Sequence, residues 1–253
     1  YMLGIDHLGL ALSQIIALVK MKTAAGFVPG FSSGAFKLRD CSQPPITSKA
    51  LFEISKRWGV NRTHWALDLC FDDLYTWNTW MYTQRREKPL GMLSYGQSAY
   101  ASYAPDGTPG STTPSSTACG SGLDNGPTVE GVPFNLTGLN LQDQYDAGFT
   151  GMYLMDTRAL LGMAKMLGGP KQAAAAELQK RFNTVNAAML KTLWNESLGV
   201  FQNMLSVPEL KPIDRLAPTH FYPLLAGPES GPSEAQVVAT VKKALANNSR
   251  MAV

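Results

Sequence analysis

The spacing of apolar residues constrains this chain more strongly than any other feature of its sequence. Apolar side chains recur every three to four positions, and no apolar run alternates cleanly over the length of a strand. A single helical face between residues 64 and 86 carries Leu67, Cys70, Leu74, Trp77 and Met81. The pattern predicts an all-α protein whose helices each bury one apolar stripe.

Six helices are predicted, separated by loops of very different lengths. They cover residues 6–24, 47–58, 64–86, 149–167, 171–193 and 233–247, and Asp6 is expected to cap the first. The segments 87–146 and 208–227 are predicted as loops, and 199–205 as a short extended piece. A connection as long as 87–146 is either functional or disordered. Because its centre carries the most unusual motif of the chain, we interpret it as functional.

Composition excludes several classes of protein. The net charge is only +3 and the basic residues are scattered, so the sequence lacks the electrostatic footprint of a nucleic-acid-binding protein. The sequence contains no run of 18 apolar residues, so it does not predict a membrane span. The three histidines and three cysteines do not show the spacing of a metal site, and neither a metal nor another cofactor is expected. With 45% apolar residues a sizeable core is possible, and the length of the whole chain, 1–253, suits one large domain or two small ones.

The motif at the centre of the long loop is GSGLDNGP, residues 120–127. It holds one carboxylate, Asp124, among residues that favour tight, non-helical backbone. An aspartate in such a setting is most often only a turn-former. A general acid displayed on a tight turn is the alternative, and the choice depends on the rest of the chain.

Five motifs in the same order make the chain resemble glycoside hydrolase family 63 and its relatives, the trehalases and mannosylglycerate hydrolases. They span nearly the whole sequence and are GSGLDNGP at 120–127, SQPP at 42–45, Trp77-Asn78 with Arg85-Arg86, LWNE with GVF between 193 and 201, and LAPTHFYPLLAG at 216–227. The resemblance implies an (α/α)6 toroid, of which this chain would supply about half. Trehalases carry an arginine immediately before SQPP. Cys41 stands at that position here, which argues against trehalase specificity.

The resemblance also implies roles for individual residues. Asp124 would be the general acid, with Asn125 beside it in the substrate site. Gln43 would contact the sugar, although an amide that satisfies local backbone is an equally good interpretation. Trp77 would stack on a sugar ring, but such residues more often belong to the core. His220 and Tyr222 would bind sugar hydroxyls, and for His220 a structural role is equally consistent with the sequence.

The expected activity is inverting hydrolysis of an α-glucosidic or α-mannosidic bond in an oligosaccharide or small glycoside. In the resembling families the general base is a glutamate beyond the loop 216–227, and no residue of this chain lies in that context. We therefore expect the chain to be part of a longer catalytic domain and to be inactive alone. The alternative is a carbohydrate-binding pseudoenzyme of the same fold.

Overall fold

Helices dominate the computed structural model, which describes residues 2–33, 36–37, 42–87, 89–96, 122–123, 126–133, 141–227 and 231–246. Among these residues, the α-helices are α1 (Leu8–Lys20), α2 (Thr47–Trp58), α3 (Val60–Gln84), α4 (Ala147–Leu167), α5 (Gln172–Thr192) and α6 (Glu234–Ala246). Shorter 3-10 helices cover Met2–Ile5, Pro127–Val129, Gly169–Lys171 and Pro218–Ala226. The predicted all-α class is confirmed.

Three helices of the described chain run in the same direction. Helix α4 is buried along most of its length and packs against α2, α3, α5 and the 218–226 helix. Gly148 meets Thr219 and Gly151 meets Pro223, so α4 and the 218–226 helix run in the same direction. Ser48 lies beside Asp156 and Phe52 lies on Gly162, which gives α2 that direction too.

The strands are two residues long and tie loops together. They are β1 (Ser32–Ser33), β2 (Phe36–Lys37), β3 (Gln144–Tyr145), β4 (Trp194–Asn195), β5 (Val200–Phe201), β6 (Met204–Leu205) and β7 (Lys211–Pro212). All pairs are antiparallel, in the orders β1-β2, β3-β6-β7 and β4-β5. Tyr145 faces Met204 across β3 and β6, which fixes the 199–217 segment against the start of α4.

The main core lies between α3, α4 and their neighbours. Its largest fully buried side chains include Trp77, Tyr145, Tyr153, Phe71, Phe149 and Phe201. Cys70 is a free, buried thiol in this core, and burial raises its pKa to about 11. Cys41 and Cys119 lie outside the described residues.

Two local predictions were wrong. Asp6 does not cap the first helix: the N-cap position is His7, and the preceding residues form the Met2–Ile5 helix. The segment predicted as a loop at 208–227 contains the 218–226 helix, with Pro223 inside it. Proline removes one backbone donor but keeps a helical φ, and close packing on α4 stabilises this helix despite that loss.

Two further properties concern only the described residues. None of their helices combines the length and the apolar composition that a membrane crossing requires. No three of their histidine, cysteine, aspartate or glutamate side chains cluster in a way that could hold a metal ion.

Candidate active site

The start of α4 is fixed by a buried carboxylate. Asp146 accepts a hydrogen bond from the Phe149 amide at 2.7 Å and is the N-cap of α4. Its other oxygen accepts from Asn203 Nδ2 at 2.6 Å, and Asn203 Oδ1 accepts from the Ala147 amide at 2.8 Å. Burial raises the pKa of Asp146 to about 6, although these hydrogen bonds oppose the shift. Asn203 thereby locks the 199–217 segment to the first turn of α4.

The predicted sugar-contacting turn lies at the start of α2. The Gln43 amide donates to the Val28 carbonyl at 2.9 Å, and Gln43 Nε2 donates to the Gly30 carbonyl at 2.7 Å. The NH2 group of the Gln43 side chain therefore bonds a local backbone carbonyl, which is the structural role considered above for this residue. Gln43 Oε1 has no hydrogen-bond partner in the described part of the chain, so this oxygen is left to accept from another molecule.

Asp124 and Asn125 lie outside the described residues, but their neighbours in sequence do not. Gly122 has φ = +75°, a conformation that favours glycine. A Cβ at Gly122 would lie 3.6 Å from Pro44 Cγ, an ordinary van der Waals distance, so Gly122 packs beside the Pro44 ring. The Gly126 amide donates to the Leu123 carbonyl at 2.9 Å. Gly122 of the GSGLDNGP motif thus lies beside the turn that carries Gln43.

His220 begins the 218–226 helix with its ring buried. Its Nδ1 lies 2.8 Å from the Ala217 amide nitrogen and 3.0 Å from the Ala217 carbonyl oxygen, so which of the two it bonds depends on the tautomer of the ring. Burial lowers the pKa of His220 to about 4, so the ring is neutral at physiological pH. Nε2 is buried and has no protein partner among the described residues. A buried ring nitrogen of this kind requires a hydrogen-bond partner, such as a hydroxyl group.

Tyr222 lies further along the same helix and is half-buried. It lies close enough to Tyr95 for the two phenols to interact electrostatically. Tyr95 stacks on Phe149 with ring centroids 4.8 Å apart, and its hydroxyl is buried without a partner among the described residues. The Tyr95 hydroxyl therefore lies between the start of α4 and the 218–226 helix.

Several other polar atoms near the start of α4 are buried and unpaired within the described part of the chain. They are Asp143 Oδ1, Ser206 Oγ and Thr219 Oγ1, in addition to Tyr95 Oη and His220 Nε2. Buried polar atoms normally find partners. Other atoms elsewhere in the described chain are also buried and unpaired, among them Tyr153 Oη and Asp156 Oδ1, so this property is shared with the core and does not mark a ligand site by itself.

A second carboxyl group at this end was not anticipated from the sequence. Glu87 is 9% exposed, and burial together with the negative charge of Asp143 raises its pKa to about 7. Burial also raises the pKa of Asp143. The two residues are far apart in sequence and lie in separate loops, so no local pattern could have paired them.

Trp77 belongs to the core, which is the more frequent role for such residues. Its side chain is 1% exposed, which leaves no ring face open to a sugar. Trp80 is also buried and packs between Phe27 and the Arg85 guanidinium, which lies 4.5 Å above its ring. Tyr82 lies under Arg86 at 4.2 Å. The structure therefore gives the start of α4, rather than the aromatic end of α3, as the candidate site.

A family model described as "Mannosylglycerate hydrolase MGH1-like glycoside hydrolase domain" matches residues 8–251. A search among curated protein sequences gave no significant match. The family match extends over nearly the whole chain and includes all five motifs.

Solved structures of similar fold include the GH63 mannosylglycerate hydrolase from Thermus thermophilus. Its glucose complex has a TM-score of 0.70 at 16% identity, over 98% of this chain and 66% of that one. Its complex with Tris and D-glycerate has a TM-score of 0.68 at 15% identity, over 94% and 66%. Neutral trehalase from Saccharomyces cerevisiae has a TM-score of 0.62 at 15% identity, over 82% and 44%. The chain therefore spans less than two thirds of the length of these proteins. Its fold class is the all-α toroid, the same as that of the matched structures.

Proposed function

The chain belongs to the MGH1-like glycoside hydrolase domain family, and from this premise we propose that the protein containing it is an inverting glycosidase. Its substrate would be an oligosaccharide or small glycoside with an α-glucosidic or α-mannosidic bond. The support for an enzyme of this class is the family match over residues 8–251. The support for this substrate class is the set of five motifs shared with glycoside hydrolase family 63, together with the similar fold of the GH63 mannosylglycerate hydrolase from Thermus thermophilus.

Asp124 would act as the general acid that protonates the leaving oxygen. Glycosidic bond cleavage requires such a proton donor and a second carboxylate that activates water. The observation that carries this assignment is the packing of Gly122 on Pro44, 3.6 Å from a Cβ position to Pro44 Cγ. It supports a site in which the acid-bearing segment adjoins the turn of Gln43.

The substrate would be oriented by neutral hydrogen-bonding groups around the acid. His220 Nε2 would hydrogen-bond one sugar hydroxyl, and Gln43 Oε1 would accept from another. Neither group carries a charge at neutral pH, which suits an uncharged substrate. Tyr222 would contribute a phenol that can both donate and accept.

The stereochemical outcome tests the proposed mechanism. Inversion requires room for water, so the two catalytic carboxyl groups should lie roughly 6.5–9.5 Å apart. The natural protein containing this chain should be assayed against α-glucosides and α-mannosides, and the first-formed anomer followed by proton NMR. We expect the β-anomer to form first and the α-anomer to appear only by mutarotation. Initial release of the α-anomer would contradict inversion, and no hydrolysis of either series would contradict the substrate assignment.

A further inference from the structure

Three buried amide side chains form a continuous line of hydrogen bonds between the start of α4 and the segment that follows the GSGLDNGP motif. They are Gln142, Gln144 and Asn203, and each is fully buried or nearly so. Gln142 Nε2 donates to the Val129 carbonyl at 3.0 Å, and Gln144 Nε2 donates to Gln142 Oε1 at 2.9 Å. Asn203 Nδ2 donates to Gln144 Oε1 at 3.4 Å and to Asp146 at 2.6 Å. The line therefore begins at the N-cap of α4 and ends at the Val129 carbonyl.

The two ends of this line fix the orientation of every amide in it. The Val129 carbonyl can only accept, so the Gln142 NH2 group faces it and the Gln142 oxygen faces Gln144. At the other end the Ala147 amide donates to Asn203 Oδ1 at 2.8 Å, so the Asn203 NH2 group faces Gln144. Both ends thus require the same orientation of Gln144. A buried polar network whose members are all satisfied is held rigidly in one arrangement.

The backbone of Gln142 is fixed as well as its side chain. Its amide donates to the Tyr95 carbonyl at 2.9 Å, and its carbonyl accepts from Ser94 Oγ at 2.8 Å. These bonds do not involve the segment that carries Val129. Gln142 is therefore anchored independently of that segment and can hold the Val129 carbonyl in place.

Val129 belongs to the stretch of chain that directly follows the acid-bearing residues. It ends the Pro127–Val129 3-10 helix, and the N-cap of this helix is Gly126. The Gly126 amide bonds the Leu123 carbonyl at 2.9 Å, and these two residues flank Asp124 and its neighbour in sequence. The bond from Gln142 therefore fixes the described segment that starts two positions after the proposed acid.

We propose that Gln142 is a positioning residue for the general acid, an inference that rests on the proposed function of Asp124. Acid catalysis requires the proton donor within hydrogen-bond reach of the leaving oxygen, and a small displacement of a catalytic group slows the reaction steeply. Gln142 acts through the Val129 carbonyl, which keeps the segment after the acid at a fixed place relative to the start of α4.

The dependence on the leaving group, measured in the natural protein, separates positioning from a purely structural role. Gln142→Met removes both side-chain hydrogen bonds at nearly constant length. We expect kcat on a glycoside with a poor leaving group to fall about tenfold, and kcat on an aryl glycoside with an activated leaving group to fall less than about twofold. A variant that is only less stable would lose active enzyme and lower both rates by the same factor, so the ratio of the two rates stays informative.

Two further variants complete this comparison. Gln142→Glu keeps the length and the acceptor for Gln144 but has no NH2 donor for Val129, and it should show the same selective loss. Gln14→Met makes the matched change on the exposed face of α1 and should leave both rates unchanged. An equal loss on both substrates for the Gln142 variants, or no loss on either, would overturn the positioning role.

A double-mutant cycle with Asp124→Asn distinguishes failure of the positioning role from failure of the proposed function. If Gln142 acts through the acid, Gln142→Met should lower the rate with the poor leaving group less than about twofold once the acid is absent. The same roughly tenfold loss in both backgrounds would overturn positioning and leave Asp124 as the acid. If Asp124→Asn alone shows no selective loss, the proposed function fails, and the role of Gln142 fails with it.

Discussion

His220 and Asp156 are buried ionisable residues whose pKa values are shifted in opposite directions. Burial lowers the pKa of His220 to about 4 and raises that of Asp156 to about 7, because each site disfavours the charged form. Asp156 lies in the middle of α4 and accepts from Asn78 Nδ2 at 2.9 Å. Both residues therefore couple the stability of the fold to pH.

His220 should make the fold less stable as the pH falls. Its folded pKa of about 4 lies below the ordinary value of 6.5, so the unfolded chain binds more protons between these limits. The contribution is fully present above pH 6.5 and is lost as the pH falls to about 4, at up to about 1.4 kcal/mol per pH unit. Urea unfolding of the parent chain and of His220→Gln across this window measures the contribution. A free-energy difference between the two that does not change with pH would contradict a buried, neutral ring.

Asp156 should have the opposite effect. Its folded pKa of about 7 lies above the ordinary value of 3.8, so the folded chain retains a proton that the unfolded chain has lost. Stability from this group is greatest at low pH and falls as the pH rises from about 4 to about 7. Asp156→Asn removes the ionisation, so its stability relative to the parent should increase steadily over this range. A constant difference across the same range would show that Asp156 is not protonated in the folded state.

Local and tertiary effects were not equally predictable at the scale of single residues. The N-cap role of Asp146 is a local effect, because its hydrogen bond reaches only three residues along the chain. Glu87 and Asp143 were missed because their proximity depends on how two loops pack. The helical spacing of Trp77 alone allowed either a core role or stacking on a sugar ring. The spacing shows on which face of the helix the side chain lies but not what packs against that face.

At the scale of elements, the close approach of α4 and the 218–226 helix depends on glycine. A Cβ at Gly151 would lie 2.7 Å from Pro223 Cα, and backbone atoms cannot move aside as a flexible side chain can. Because His220 and Tyr222 are carried on the 218–226 helix, this contact also positions two of the predicted site residues.

Gly151→Ala should destabilise the fold although alanine is the better helix former. The overpacking is expected to cost about 2–3 kcal/mol, which exceeds the gain in helix propensity of about 1 kcal/mol. Gly9→Ala in α1 is the matched control, because a Cβ there would meet nothing within 4 Å. Urea unfolding should show that Gly9→Ala is neutral or slightly more stable. If Gly151→Ala were equally tolerated, the two helices would not be in backbone contact.

Helix boundaries were predictable where a local signal ends the helix. Gly59, with φ = +85°, ends α2 at the predicted residue, and Gly168 ends α4 in the same way. The start of α3 at Val60 was missed because its first turn carries no capping signal. The 218–226 helix was missed because its prolines indicate a loop, whereas packing on α4 determines its conformation.

At the scale of the whole molecule, the helical class was predictable from the sequence but the arrangement of the helices was not. The apolar period of 3.6 is a property of each helix and says nothing about which helices become neighbours. The parallel orientation of α2, α4 and the 218–226 helix depends on contacts between helices, such as those of Gly162 with Phe52 and of Gly151 with Pro223. Only the resemblance to a family gave the toroid, and the family match with the solved folds confirms it.

The claim that Asp124 is the general acid is tested most directly by Asp124→Asn in the natural protein. Asparagine keeps the shape of the side chain but carries no transferable acidic proton. We predict that hydrolysis of a glycoside with a poor leaving group falls roughly 10²–10⁴-fold. Hydrolysis of an aryl glycoside with an activated leaving group should fall much less, because that leaving group needs little protonation. Asp68→Asn, on the exposed face of α3, should leave both rates unchanged. Full activity of Asp124→Asn on the natural glycosidic bond, or an equal loss on both substrates, would contradict the assignment.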